Sequence, residues 1–180
     1  MTASHTVRTA LINDLIEHVK EVAHDVASSE EHNIMAFIVP GAAAGLPDGA
    51  VLPVMPEAMP DENAKELFTQ FLRATSKDLC ADAVIVVMEA YISFLRTEDV
   101  ARDDRDLHTQ MRTSPTRQET LICSVERKLG ATTFYYAPIG VDGGIGARRV
   151  GPFVEMPTGI STVESILTLK STIAAAKGTQ

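Results

Sequence analysis

Tryptophan is absent from this chain, cysteine occurs twice, and aromatic residues make up only 5% of its 180 residues. Two cysteines, Cys80 and Cys123, cannot build a disulfide framework, and their spacing matches no metal-ligand pattern. Both stand in apolar sequence surroundings, so both are expected to be reduced, buried and inert. No apolar run reaches the roughly 18 residues that cross a bilayer; the longest, "AVIVVMEAYISFL", is interrupted by Glu89. The N-terminal stretch lacks the basic start and continuous apolar middle of a secretion signal. No membrane association and a cytoplasmic location are expected. Excess positive charge is also missing. The formal net charge is −8, which repels phosphate backbones, and no stripe of Lys and Arg reverses this locally. Nucleic-acid binding is therefore not expected.

Hydrophobic residues make up 45% and charged residues 22%, an ordinary globular mixture in the size range of a single domain spanning 1–180. Val7, Leu11, Leu15, Val19, Val22 and Val26 recur at spacings of three and four, which predicts an amphipathic helix over 7–27. "IMAFIV" (34–39) suits a buried strand. Residues 40–60 hold five of the nine prolines. There "LPDG" predicts a tight turn, and "AVLPV" an edge strand, because Pro53 lacks a donor. Asp61 caps a second helix whose inward face is predicted as Ala64, Leu67, Phe68, Phe71, Leu72, Thr75 and Leu79.

"DAVIVVMEAYISFL" (82–95) predicts the main strand. One face carries Val84, Val86, Met88, Ala90, Ile92 and Phe94; the other begins with Ile85 and Val87 and turns polar through Glu89, Tyr91 and Ser93. Residues 96–117 hold five acids and five arginines, a charge-balanced surface arm read as a loop in preference to a short helix. "RQETLICSVER" and "ATTFYYAPI" flank "KLG" as a hairpin. "RRVGPFVEMP" predicts a further strand. Ser161 and Glu164 begin a capping-box pattern for a C-terminal helix. Strands joined by short loops pair antiparallel, so the expected fold is α+β: an antiparallel sheet with about three helices packed on one face.

Chemical motifs are sparse. "GVDGGIGARRVGP", Gly140 to Pro152, has neither the Lys-Ser/Thr of a P-loop nor a helix after its glycines. Asp142-Gly143 reads as a hairpin turn, with Arg148 and Arg149 pointing to opposite faces. A minor reading makes Gly143, Gly144 and Arg149 an anion loop. Glu21 and His24 form one E-x-x-H pair where a carboxylate-bridged di-metal bundle uses two, so no metal and no cofactor are expected. The five histidines, at 5, 18, 24, 32 and 108, form no H-x-H or H-E-x-x-H pattern. Glu89, Glu126 and Glu155 each fall on a predicted strand and could converge if the strands are neighbours.

The segment from Asp82 to Glu126, "ADAVIVVMEAYISF" followed by a polar gap and "SPTRQETLICSVE", resembles uncharacterised small bacterial and phage proteins with the same helix–strand–loop–strand order. It covers about a quarter of the chain. The resemblance implies strand, variable loop, strand, and attaches no activity.

Two functional readings follow. The first is a non-enzymatic, self-associating interaction protein, most simply a dimer, docking through residues 40–60. The second is a small-molecule or anion-binding protein, or a carboxylate-based enzyme, with Glu89, Tyr91, Glu126 and Arg148 around one concave surface.

Overall fold

A computed structural model describes residues 3–29, 34–56, 61–93, 104–128, 132–141 and 148–156. Three α-helices and seven strands occur among them: α1 (Ala3–Ser29), β1 (Met35–Val39), β2 (Leu52–Val54), α2 (Glu62–Asp78), β3 (Ala83–Ile92), α3 (Asp104–Thr113), β4 (Gln118–Arg127), β5 (Thr133–Val141), β6 (Arg148–Val150) and β7 (Val154–Glu155). The strands form one antiparallel sheet in the order β2-β1-β3-β4-β5-β6, with β7 also on β5. The class is α+β, as the strand and helix patterns imply. The expected C-terminal helix at 161–177 lies outside the described residues. The third helix is instead α3, inside the charged segment whose composition suggests a loop.

The sheet is built on β3 and β4, which pair over ten positions from Ala83–Arg127 to Ile92–Gln118. Both strands are apolar on both faces, so both faces need cover. Ile12, Ile16, Val19, Ala23 and Ala27 of α1 pack on Ala83, Ile85, Val87, Leu121, Cys123 and Val125. Phe68 and Leu72 of α2 pack on Val84, Val86, Met88 and Ile122, the opposite side of the same strands. The helices therefore divide between the two faces and do not share one. β2 and β3 run in the same direction with β1 between them, so α2 crosses over β1 to connect them, and the hand of that crossover selects the face it covers.

The buried stripe of α1 also differs from the expected one. Val19 is common to both, but Val22 is exposed, and Ile12, Ile16, Ala23 and Ala27 do the packing. A stripe chosen for bulky residues overlooks alanines, which let a helix axis sit close to a sheet.

Asp61 caps α2 as expected, its carboxylate accepting the Ala64 N–H at 2.8 Å. At the other end, Cys80 N–H donates to Lys77 O and Ala81 N–H to Ser76 O, the two bonds of a Schellman motif. Cys80 occupies the left-handed position, φ 47°, where glycine is the usual residue. It is exposed, not buried as its sequence context suggests; Cys123 is buried as expected.

The edges of the sheet are short and interrupted. β2 lies at one edge, and Pro53 removes a donor from it. At the other edge the expected strand "RRVGPFVEMP" is broken in two. Ile139 pairs with Val150 and Tyr136 with Val154, so three residues of the outer chain face two of β5, a β-bulge. Gly151 sits in it, donating to Pro138 O at 2.8 Å. A Cβ there would come within 3.0 Å of the Pro138 ring. The antiparallel pairing of Val141 with Arg148 makes the glycine-rich segment a hairpin connection; its residues 142–147, including Gly143 and Gly144, lie outside the described residues.

Candidate functional site

Residues 89, 91 and 119 share the α1 side of the sheet, because alternate strand positions face the same way and Glu119 pairs with Tyr91. Arg148 reaches in from β6. Its guanidinium lies 2.9 Å from Glu89 and 3.4 Å from Glu119. The side chains of Arg148, Glu89 and Glu119 are 21%, 11% and 38% exposed respectively. One cation thus bridges two carboxylates. Beside it the Arg117 guanidinium lies 3.9 Å from the centre of the exposed Tyr91 ring, a cation–π contact.

Three of the four predicted pocket residues are therefore together, and the fourth is not. Glu126 pairs with Val84 and faces α2, on the other side of the sheet, where it is buried. Nor do the three glutamates converge. Glu155 shares the α1 side, but it lies on β7, three strands from Glu89 on β3. Period-two alternation assigns a face within each strand; only the register relates one strand's faces to the next. Glu119 and Arg117 escape a reading of the sequence because both belong to a segment that looks like a plain hairpin strand.

Arg148 and Arg149 do point to opposite faces, as adjacent strand residues must. Arg149 is exposed. Arg148 is committed to two carboxylates, which opposes any role in binding an anion in this arrangement.

Other sites resolve into structural contacts. His24 Nε2 lies 3.1 Å from Val150 O, pinning α1 to β6, which accounts for the histidine of the E-x-x-H pair. Arg8 forms a 2.6 Å ion pair with Asp82 in a cleft bounded by Leu11, Gly41, Leu46 and Pro47. The space inside is about 10 Å³, room for one water. Burial pushes the Cys123 thiol up to about 12, against the nearby Lys20 cation. A thiol held neutral is a poor nucleophile. The Tyr135 hydroxyl is also raised, by burial first and then by Glu155; Lys20 sits 4.3 Å over its ring. Among the described residues, no three His, Cys, Asp or Glu side chains are grouped to hold a metal. No described helix is long and apolar enough to cross a membrane.

The surface that stands out is apolar. Leu67 and Phe71, both predicted to face inward, are 57% and 50% exposed. They sit one turn apart on α2, with exposed Ala74 continuing the line. Leu67 lies about 140° around the helix from the buried Leu72, too far for one face to bury both. Residues 40–56 are only partly docked: Pro40 and Gly41 are buried, whereas Leu46, Leu52 and Met55 are exposed.

Comparison with known proteins finds no family model that matches the chain, no matching curated protein and no matching solved structure.

Proposed function

We propose that this chain is a non-enzymatic, self-associating interaction protein of the cytoplasm, and that it associates as a dimer through the outer flank of α2 and the adjoining β2 edge. The exposure of Leu67 and Phe71 carries this reading. A right-handed β2–α2–β3 crossover, the hand nearly all such connections take, turns the Thr69, Arg73 and Ser76 flank of α2 toward β4, where the buried Ser124 and Glu126 also face α2. The same hand turns Phe71 and Leu67 toward β2, where Leu52 is exposed on the α2 side of the sheet, across from Ile38. Leu52 extends the apolar flank of α2, and exposed apolar patches mark association surfaces. Both cysteines are free, which suits a reducing compartment.

Light scattering across tens to hundreds of micromolar tests the proposal. The expected result is a concentration-dependent dimer, converted to a folded monomer by Phe71→Glu. A strict monomer throughout would sink it. The alternative, a small-molecule or anion site at Arg148, requires its release from Glu89 and Glu119. A rise in melting temperature with a panel of anions, lost in Arg148→Met, would favour that alternative.

A further inference from the structure

We infer that residues 161–177 form a helix that docks on the α2 side of the sheet, over β4, β5 and β7 and alongside α2. The surface lies across α2 from Leu67 and Phe71, so this docking and the proposed self-association can fail independently.

The two faces of the sheet are unequally covered at β5. On the α1 side, Ala137 and Ile139 are buried in one cluster with Ile16, Val19 and Ala23. On the other side, Phe134, Tyr136 and Pro138 are only half-buried, and Val154, which pairs with Tyr136, is 47% exposed. α2 crosses over β1, with Phe68 and Leu72 in the cluster of Ala36, Ile38, Val84 and Val86. Helices packed side by side sit about 8–10 Å apart, which is about two strand spacings. A second helix beside α2 therefore lies over β4 and β5.

The chain delivers a segment to that place. Met156 N–H donates to Phe134 O at 2.7 Å, which fixes the end of β7 beside β5. Pro157 to Ile160 alone separate Met156 from Ser161, and four residues span at most about 14 Å. Pro157 and Gly159 suit a turn, and strand-to-helix loops of about two to six residues are usual. So short a loop starts the helix close to β5 and β7, where α1 already holds one face.

The segment itself is patterned for such a surface. Ser161 and Glu164 form the capping box. At about 100° per residue, Val163, Ile166, Leu167 and Ile173 fall within an arc of about 120°. Glu164, Ser165, Thr168, Ser171 and Thr172 occupy the other side. Lys170 falls within the apolar arc, where its stem can lie along the surface with the ammonium at the margin. As a helix, residues 161–177 measure about 25 Å, close to the roughly 30 Å of the nine-residue β5. A helix of this length is marginal alone in water, so lasting order in it reports a docking surface.

Amide hydrogen exchange on the full chain, dilute enough to be monomeric by light scattering, tests the inference. Amides of residues 163–173 should exchange at least about hundredfold more slowly than unstructured chain. Phe71→Glu, on the outer flank of α2, should leave that protection unchanged. Val154→Asp should reduce it by at least about tenfold, because a helix docked there would bury the carboxylate. Protection of the Met156 amide verifies that β7 stays paired in this variant. If it does not, Tyr136→Ser on β5 decides the matter, with the same loss of protection expected. Exchange at unstructured rates in the unaltered protein would overturn the docking. Protection that survives both sheet substitutions, or is lost in Phe71→Glu, would also overturn it, by locating the segment elsewhere.

Discussion

The two long helices cover opposite faces of one sheet and use their apolar residues in different ways. α1 concentrates burial on a single line, Ile12, Ile16, Val19, Ala23 and Ala27, and turns Glu17, His18 and Glu21 to water. α2 divides its large side chains: Phe68 and Leu72 enter the core, whereas Leu67 and Phe71 stay outside it. It also brings Thr69 and Ser76 into full burial. A helix that buries two hydroxyls and exposes a leucine and a phenylalanine is rotated away from the orientation its composition favours. α1 is thus explained by the core of this chain alone. α2 leaves Leu67 and Phe71 exposed, and that flank is the one the proposed association would cover.

Core truncations should test the shared half of this comparison with the largest effects. Ile16→Ala on α1 and Leu72→Ala on α2 should each cost about 2–5 kcal/mol in urea denaturation, since both side chains are fully buried. If Leu72→Ala costs no more than a surface substitution, α2 does not close its face as described. Next comes Arg148→Met, which removes the 2.9 Å ion pair to Glu89, a side chain only 11% exposed. A loss of about 1–3 kcal/mol is expected, discounted for partial exposure. An unchanged melting curve would mean the pair is merely superficial.

The outer flank should behave oppositely to the core. Phe71→Ala should change the denaturation free energy of the dilute, monomeric protein by at most about 0.5 kcal/mol, while abolishing association at high concentration. A large loss in the monomer would show that Phe71 supports its own domain. At the end of α2, Cys80→Gly should stabilise by about 0.5 kcal/mol, because it removes the left-handed penalty at φ 47°.

A pH test separates the two cysteines. Exposed Cys80 should react with a thiol reagent at neutral pH, and Cys123 only on unfolding. Burial raises Cys123 from its ordinary 9.0 to about 12, so below pH 9 the proton is bound in folded and unfolded chains alike. Above that, the unfolded chain releases it first. Stability is therefore full at neutral pH and falls as pH climbs from about 9 toward 12. Cys123→Ala should make that fall shallower; an equal slope would locate its cause in other groups.

The sequence by itself determined the local elements that rest on neighbouring residues. The Asp61 cap, the Gly49 turn with φ 81°, the edge position of β2 and the β4–β5 hairpin all follow from side chains a few positions apart. So does the two-faced pattern of β3, with Glu89 and Tyr91 opposite the side of Val84 and Val86. Tertiary structure alone decided which faces meet. Only strand register could bring Arg148 to Glu89 and Glu119, and set Glu126 on the far side. Only the tertiary packing could set α2 on the face opposite α1 and leave Leu67 and Phe71 outward. The physical reason is that periodicity fixes a side chain's direction relative to its own element, whereas burial depends on what stands in that direction. Contacts between residues far apart in sequence decide that.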